Sequence, residues 1–267
     1  GIDTGSVRPM LEIRNLVKHF PTPSGHIVKA VDDVSFQVPR GETLALVGES
    51  GSGKTTVGQC LVRLLGSNSG SVLFDGTDVL TLSDKEFRPL RRNIQMVFQE
   101  PYVALNPRWT VERLIGEPLA LDPTIQSRAD RRARVMEMLD RVRLPSKLAE
   151  EYPHALTAGE QKRVGMARAL ATRPGFVVFD EPTTALDIRV RAQIIDLVRD
   201  LQQEMQLATL FITHDLNSVR SLAHNVAVMR HGKIVEIGET ERIFASPDHD
   251  YTRMLLGAEL PIEEFAA

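Results

Sequence analysis

Residues 48–55 read Gly48-Glu49-Ser50-Gly51-Ser52-Gly53-Lys54-Thr55 and match the pattern G-x-x-x-x-G-K-S/T at every specified position. A short apolar run, residues 43–47, precedes them and has the character of a buried parallel strand. Residues 55–65, which follow, have a helical pattern. Glycines let a backbone turn tightly with successive N–H groups aimed at one point. A strand, a glycine-rich loop and a helix in this order therefore predict a phosphate-binding loop.

The residue types in this loop supply the chemistry that a phosphate chain needs. A helix beginning near Lys54 would direct its positive end at the phosphates, and the lysine would neutralise the β and γ groups. The Thr55 hydroxyl would be a ligand of Mg²⁺. A chance Gly/Ser loop is the alternative, and the flanking strand and helix argue against it. The nucleotide-binding residues predicted here are Gly48, Glu49, Ser50, Gly51, Ser52, Gly53, Lys54, Thr55 and Thr56.

A second apolar run, residues 176–179, ends in two carboxylates, Asp180 and Glu181. Ligands of α/β folds bind at the carboxyl ends of parallel strands. We therefore expect Asp180 to hold Mg²⁺ through its water shell and Glu181 to orient or polarise an attacking water. A strand that merely ends at a polar turn before Pro182 is the alternative, and the phosphate-binding loop weakens it.

Two further polar residues each follow an apolar run. Gln99 comes after residues 94–98, and its neutral amide can touch Mg²⁺ or water. His214 comes after residues 209–213 and can donate to a γ phosphate, although a histidine at a strand end is more often structural.

Composition limits the class of protein. The chain has 267 residues, 42% hydrophobic and 25% charged, with a net charge of −3, so broad charge-driven binding to nucleic acid is not expected. The single cysteine, Cys60, excludes an internal disulfide framework and predicts a buried thiol in a reducing cytosol. No run approaches the roughly 18–20 apolar residues of a membrane span, so membrane association would require a partner. The first residue is Gly, which suggests a processed form or a piece of a longer polypeptide.

The rest of the chain alternates strand and helix patterns, which predicts a parallel sheet covered on both faces. Residues 100–171 are the exception, because their periodicity is helical and indicates a mainly helical insertion. Ser83 and Glu86 have the spacing of a capping box that starts a short helix. Strands are predicted at residues 11–16, 27–38, 94–98, 209–213, 226–229 and 233–237, and helices at 111–116, 127–143, 188–205 and 215–223.

The order of these motifs resembles the ATP-binding subunits of ABC transporters, over about residues 11–256. The family's Walker A, Q-loop, signature, Walker B, D-loop and H-loop correspond in order to residues 48–55, Gln99, residues 156–160, residues 180–181, residues 185–187 and His214. The resemblance implies an α/β P-loop NTPase (RecA-like) core with a parallel sheet, an N-terminal antiparallel β subdomain and a helical insertion subdomain. The implied division is a core with the β subdomain at 11–99 and 172–245, a helical subdomain at about 100–171 and a C-terminal tail at 246–267.

The resemblance also implies ATP and Mg²⁺ as cofactors, bound between two ATPase domains packed head to tail. Thr157, Ala158, Gly159 and Glu160 would then act in trans on the partner's γ phosphate, with Asp187 of the D-loop beside them. Phe20 looks like the aromatic that stacks on adenine; a core phenylalanine is the alternative.

Two stretches indicate a subfamily. Phe98-Gln99-Glu100-Pro101-Tyr102, followed by Leu105-Asn106-Pro107-Arg108, is similar to the oligopeptide, dipeptide and nickel importer ATPases. His249-Asp250-Tyr251-Thr252 resembles their His-Pro-Tyr-Thr stretch, with Asp250 in place of proline.

This resemblance implies an ATPase that energises import of peptides or a related small solute from the cytoplasmic face of the membrane. Its implied partners are a second ABC ATPase domain, identical or not, membrane-spanning permease subunits and an extracytoplasmic solute-binding protein, with no nucleic acid. A soluble non-transport ABC ATPase and a regulatory nucleotide-binding domain with a degenerate site are the alternatives. Glu181 and His214 argue against the second of these. A P-loop kinase or GTPase is disfavoured by the signature and the D-loop.

The signature departs from the family's Leu-Ser-Gly-Gly-Gln. Thr157 keeps the hydroxyl, Ala158 adds a Cβ where the family has glycine, and Glu160 adds negative charge near a docking triphosphate. Thr157 and Glu160 also have capping-box spacing. We therefore hypothesise an asymmetric pair of domains, in which the Walker residues are competent and this signature serves a weaker site.

Two other features have ordinary interpretations. The arginines at 128, 131, 132 and 134 predict a solvated helix face. Trp109 belongs either to a local core or to the groove that receives a permease helix.

Overall fold

The computed structural model describes residues 8–100 and 105–257, which form two β-sheets and a set of helices. Strands β1 to β10 lie in chain order at Leu11–Pro21, Ile27–Val38, Thr43–Val47, Ser69–Phe74, Thr77–Asp78, Ile94–Val97, Phe176–Asp180, Ala208–Thr213, Asn225–Arg230 and Lys233–Glu239. Helices α1 to α8 lie at Lys54–Leu61, Asp84–Phe87, Val111–Gly116, Arg128–Arg141, Ala158–Leu170, Ile188–Met205, Thr240–Ala245 and Asp250–Gly257.

The smaller sheet is antiparallel, with strand order β2-β1-β4-β5. The larger sheet has the order β10-β9-β3-β8-β7-β6 and is parallel except for the edge strand β10. Its three central strands, β3, β8 and β7, are buried along their whole length. Such strands need apolar residues on both faces, which explains the uninterrupted apolar runs in the sequence.

Alternate residues of the central strands enter two different cores. Leu44 and Leu46 pack toward the antiparallel sheet and α1, whereas Ala45 and Val47 pack into the larger core, which the helices share. This alternation follows from the two-residue period of a strand. The carboxyl ends of β3, β7 and β8 are thereby held side by side by two independent apolar layers.

Most predicted elements are confirmed, with shifted ends. The antiparallel sheet, the parallel sheet and the capping-box helix α2 are present, and between residues 105 and 171 the described elements are all helical. α1 ends at Leu61, short of the predicted residue 65. The antiparallel sheet also contains β4 and β5, which the sequence patterns did not reveal.

The helix predicted at 215–223 is wrong, because only the single 3-10 turn Asn217–Val219 forms there. Local side-chain bonds compete with a helix in this segment. The Asp215 N–H donates to the Thr213 hydroxyl at 3.1 Å, and the Ser218 hydroxyl donates to the Asp215 carbonyl at 2.8 Å. One tight turn is enough to bury the apolar residues that produced the helical pattern.

The predicted solvated arginine face is wrong for one of its four members. Arg134 is only 9% exposed, and its guanidinium donates to Asp122 at 3.2 Å and to the Ala171 carbonyl at 2.7 Å. Burial would raise the pKa of Asp122, but hydrogen bonds from Thr124 and Arg134 outweigh it and hold that pKa below its usual value. The other three arginines are exposed as expected.

Other features of the described chain bear on the earlier expectations. Cys60 is buried, and burial raises the pKa of its thiol to about 11. Trp109 packs against the larger core, with the Arg113 guanidinium 4.3 Å from its ring centroid. Over the described residues, no helix has the length and apolar character required to cross a bilayer.

Candidate functional site

The glycine-rich loop connects β3 to α1 at the carboxyl end of the sheet. Gly53 caps α1 with a φ of 103°, a conformation that favours glycine, and a Cβ there would lie 2.1 Å from the Ala30 carbonyl oxygen. Gly48 is equally confined, since a Cβ there would meet the Met229 carbonyl oxygen at 2.2 Å. Backbone crowding on both sides of the loop therefore requires the two glycines of the motif.

Lys54 lies inside this loop and is only 4% exposed. Its ammonium donates to the carbonyls of Gly48 at 2.6 Å and Glu49 at 2.9 Å. Burial lowers the pKa of Lys54, and the carboxylates of Glu181, Asp180 and Glu49 oppose that shift in part. A cation held in place by backbone oxygens at a helix N-terminus is suited to meet an anionic ligand.

The loop and the end of β7 meet through one hydrogen bond. The Thr55 hydroxyl donates to Asp180 Oδ1 at 3.1 Å. Asp180 is 3% exposed. Burial and, to a smaller extent, the charge of Glu181 raise the pKa of its carboxyl to about 6, although the hydrogen bond from Thr55 favours the ionised form and opposes this shift. A hydroxyl and a carboxylate in contact are the hard oxygen donors that Mg²⁺ prefers, so these two residues fit a magnesium site.

Glu181 and His214 come together at the ends of β7 and β8. His214 Nδ1 lies 3.1 Å from Glu181 Oε1, and the histidine side chain is largely exposed while the glutamate is mostly buried. Glu181 has a φ of 44°, unusual for a residue with a side chain, and its N–H donates to the Ile212 carbonyl at 2.9 Å. A strained residue in this position is typical of functional sites.

Gln99 lies after β6 and faces the same space. The Lys162 ammonium of α5 donates to its backbone carbonyl. Lys162 is buried, and burial lowers its pKa. The negative charges of Glu100, Asp180 and Glu181 favour the charged ammonium and oppose this shift in part. The sequence patterns gave no signal for this lysine, which bonds the helical segment to the backbone of the residue whose amide is expected to touch Mg²⁺ or water. Pro101 and Tyr102 of the subfamily stretch lie outside the described residues.

A cavity of about 430 Å³, here called the nucleotide cavity, gathers most of these residues. Its volume lies in the range of small-ligand and cofactor sites. Its lining residues are Val28, Lys29, Ala30, Ser50, Gly51, Gly53, Lys54, Thr55, Thr56, Gln99, Glu181, His231 and Gly232. His231 and Gly232 come from the turn between β9 and β10, whose place in the site had no sequence signal.

Phe20 is not among those lining residues. It lies in β1 opposite Val28, which does line the cavity, and the Lys18 ammonium lies 4.9 Å from its ring centroid. Its role against adenine stays a prediction.

The signature residues lie in a second cavity of about 610 Å³, here called the signature cavity. Thr157 caps α5 by accepting from the Glu160 N–H at 3.1 Å, and the Glu160 carboxylate accepts from the Thr157 N–H at 2.9 Å, so the predicted capping box is confirmed. Asp187 caps α6 in the same way through the Val190 N–H at 2.9 Å. The lining residues of the signature cavity include Arg143, Arg163, Thr157, Ala158, Gly159, Glu160, Ala185 and Asp187.

The two cavities have no lining residue in common over the described part of the chain. The structure therefore groups Gln99, Glu181 and most of the glycine-rich loop around one cavity and the signature and D-loop residues around the other. Asp180 and His214 do not line the first cavity but contact Thr55 and Glu181, which do.

Comparisons with known proteins agree with this geometry. The family model described as ABC transporter matches residues 31–184, more than half of the chain. The oligopeptide transport ATP-binding protein OppF of Bacillus subtilis (strain 168) is 44% identical over 250 residues, which cover 93% of this chain and 82% of that protein. The glutathione import ATP-binding protein GsiA of Escherichia coli (strain K12) is 46% identical over 262 residues, 96% of this chain and 42% of that protein.

Solved structures give the same result. An ATP-binding cassette solved as a dimer in a post-hydrolysis state with ADP and Pi superposes with a TM-score of 0.79 at 30% identity, covering 86% of this chain and 99% of that one. The protein cbiO1 of Clostridium perfringens, part of the ABC transporter complex cbiONQ, superposes with a TM-score of 0.78 at 28% identity, covering 95% and 96%. The loop, the paired acids, the capped signature helix and these matches together show that the chain belongs to the ABC transporter family of ATP-binding, ATP-hydrolysing proteins.

Proposed function

We propose that this chain is the ATP-hydrolysing subunit of an importer of oligopeptides, dipeptides or a related small solute. One observation carries the catalytic part: Lys54, Thr55 and Glu181 line the nucleotide cavity, and two of them are in contact with further predicted site residues, Thr55 with Asp180 and Glu181 with His214. The relatives named for oligopeptide transport and glutathione import support the class of solute.

In this proposal the loop binds the triphosphate, and Glu181 organises the chemistry. The loop's N–H groups and Lys54 hold the β and γ phosphates, so that the γ phosphorus faces Glu181. The Glu181 carboxylate accepts a hydrogen bond from the attacking water, whose oxygen bonds to phosphorus while the bond to the ADP oxygen breaks. His214, in contact with Glu181, would donate to the γ phosphate.

Magnesium belongs to the same proposal, because Thr55, Asp180 and Gln99 offer it only oxygen donors. When bound, Mg²⁺ neutralises charge on the β and γ phosphate oxygens. Thr55 and Asp180, already in contact, would hold it, together with the amide oxygen of Gln99, which lines the same cavity as Thr55.

A second ATPase domain is the partner that the two cavities require. In one chain, the signature helix and its Thr157 hydroxyl face a cavity separate from that of Lys54. Head-to-tail packing of two domains would bring each signature to the other domain's γ phosphate, where a helix N-terminus is favourable. The dimeric form of the solved relative supports this arrangement.

We retain the proposal of an asymmetric pair. Ala158 is exposed at the start of α5, so its Cβ would meet the partner's nucleotide directly. Glu160 is a smaller obstacle than the sequence suggests, because its carboxylate is bound to the Thr157 N–H and lies in the field of Arg163. The partner's nucleotide would thus meet an altered signature, whereas the glycine-rich loop of this chain matches its motif at every specified position.

Permease subunits are the second class of partner that we propose, docking from the membrane on an apolar groove. The groove has a volume of about 380 Å³, and Phe98 and Leu64 in its wall are 36% and 46% exposed. It adjoins the Q-loop residue Gln99, so a helix seated there would feel changes at the nucleotide. The chain would thus work at the cytoplasmic face of the membrane.

We also infer that the chain divides into a catalytic core with the β subdomain at residues 11–99 and 172–245, a helical subdomain at about 100–171 and a C-terminal tail at 246–267.

Isolation of the native complex tests the transport assignment. A tagged chain, recovered from gently solubilised membranes, should bring down two permease subunits, a second ATPase domain and a peptide-binding protein identified by mass. Recovery without any membrane protein would instead favour a non-transport ABC ATPase. In the complex, Glu181→Gln should cost more turnover than the same change in the partner, and equal losses would remove the case for asymmetry.

A further inference from the structure

The C-terminal helix α8 makes a direct contact with the glycine-rich loop. Tyr251, in its first turn, is 2% exposed, and its hydroxyl accepts a hydrogen bond from the Glu49 N–H at 3.1 Å. The two residues are 202 positions apart in the chain. None of the roles proposed above uses this tyrosine.

The contact acts on the peptide group whose carbonyl accepts a hydrogen bond from the Lys54 ammonium. The Gly48 carbonyl and the Glu49 N–H belong to one peptide unit, which is planar. Its carbonyl accepts from the Lys54 ammonium at 2.6 Å, and its N–H donates to Tyr251 at 3.1 Å. Hydrogen bonds at both ends of one rigid plane fix its rotation, so the tyrosine sets the direction in which the carbonyl holds the ammonium.

The tyrosine is itself anchored from two sides. Just before α8, the buried Glu236 carboxylate of β10 accepts the N–H groups of Asp248 and His249, each at 2.9 Å. The Arg230 guanidinium lies 4.7 Å from the centroid of the Tyr251 ring, which packs into the larger core. The position of the hydroxyl therefore depends on the docking of α8 and not on the loop that it contacts.

We propose that Tyr251 is a positioning residue of the nucleotide site, which makes the affinity for Mg-ATP depend on the docking of α8. Without its hydroxyl, the Gly48–Glu49 peptide samples other rotations and the loop spends less time in the binding-competent form. Apparent affinity falls in proportion to that population. By reciprocity, bound nucleotide stabilises the docked helix. The inference rests on the proposed nucleotide site at residues 48–55.

The test removes one oxygen atom. Tyr251→Phe keeps the buried ring, and Tyr152→Phe, at an exposed tyrosine of the helical segment, is the matched control. Calorimetry on the full chain with Mg-ATP and Mg-ADP should show Kd raised about 3–10-fold in Tyr251→Phe, the range expected for one lost hydrogen bond. Tyr152→Phe should leave Kd unchanged. Hydrogen exchange should quicken at the Glu49 amide in Tyr251→Phe alone.

A second variant separates positioning from general packing. Glu236→Gln weakens the anchor of α8 at a distance from the loop and should raise Kd in the same direction. Combined with Tyr251→Phe it should add less than its own effect, because both changes act through one peptide.

Three results would overturn the inference. The first is a Kd for Tyr251→Phe equal to the Kd for Tyr152→Phe, while Lys54→Ala still weakens binding relative to wild type. That result would remove the tyrosine's role and leave the nucleotide site intact. Fully additive effects of the two changes would mean that they perturb packing independently. A wild-type chain that does not bind Mg-ATP at all would defeat the nucleotide site and this inference together.

Discussion

The nucleotide cavity and the signature cavity satisfy their polar groups in opposite ways. Around the nucleotide cavity, Lys54 and Asp180 are buried and have partners within the chain: backbone carbonyls for the first and the Thr55 hydroxyl for the second. In the signature cavity, Thr157 and Ala158 are exposed, and the helix start is held by the capping box and by a hydrogen bond from the Gln161 amide to the Pro153 carbonyl at 2.8 Å.

In the proposed pair of domains, this difference separates the groups that act within one chain from those that act on the partner. A buried charge without a partner is costly, so groups that act in cis are built into the fold. Groups that act in trans stay at the surface until a second domain covers them. Each prediction below changes one residue of one cavity and compares it with a control variant outside both cavities. Binding and turnover then report on the two cavities separately.

The largest effect is expected for Glu181→Gln. The amide keeps the size of the side chain but loses the charge that accepts the water proton, and we expect turnover to fall by about 10²–10⁴-fold. Binding of Mg-ATP to the isolated chain should persist, since Lys54 and the loop are untouched. The measurement is phosphate release by the complete complex, with the exposed Glu150→Gln as control. A loss below tenfold would mean that another residue orients the water.

Thr157→Ala should act only in the assembled pair. Removing one preorganised donor from a developing phosphate charge costs about 10²-fold in turnover at the partner's site, which this signature serves, while nucleotide affinity of the isolated chain stays constant. Because that site is the weaker one of the proposed pair, its turnover is measured in a complex whose other site is silenced by Glu181→Gln. Thr110→Ala is the matched control, because Thr110 also caps a helix through its side chain. Weaker Mg-ATP binding by the isolated Thr157→Ala chain would contradict the separation of the two cavities.

Lys54→Ala is expected to act in the isolated chain. Loss of a charged donor to the phosphates should raise Kd for Mg-ATP by about 10–100-fold, the range of hydrogen bonds to charged groups. Calorimetry gives the value, and the exposed Lys147→Ala should behave like wild type. Equal affinity for the two variants would break the assignment of the nucleotide cavity.

The smallest change sharpens the view of the altered signature. Ala158→Gly removes the Cβ that would face the partner's nucleotide. Closer approach that stabilises the transition state by about 1 kcal/mol would raise turnover at that site roughly fivefold, measured in the same complex with Glu181→Gln. The helix start should lose less than about 1 kcal/mol of stability, seen as a small fall in Tm. Ala129→Gly, in the first turn of α4, controls for that loss. Unchanged turnover would show that Ala158 obstructs nothing.

Local patterns predicted the parts of the molecule that local chemistry governs. The central strands were recognisable because residues 43–47 and 176–179 must be apolar on both faces. The capped helices were recognisable because a hydroxyl and a glutamate three residues apart satisfy each other's backbone groups. The 215–223 helix failed because short-range bonds at Asp215 and Ser218 favour a single turn, and a periodic pattern does not register them.

Long-range partners were beyond such patterns. Arg134 looks like its exposed neighbours until Asp122 and the Ala171 carbonyl are placed beside it. Lys162 and Tyr251 carried no sequence signal for their contacts, since their partners lie 63 and 202 positions away.

The sequence by itself determined that this chain has a phosphate-binding loop, a pair of acids after a buried strand and a capped signature helix, because each depends on residues adjacent in the chain. Only the tertiary structure decided that the loop and Glu181 line one cavity and the signature another. Strand order and helix packing set those distances, and they depend on contacts among residues that the sequence keeps far apart. Likewise, only the tertiary structure revealed that Tyr251, in the last described helix, contacts the loop.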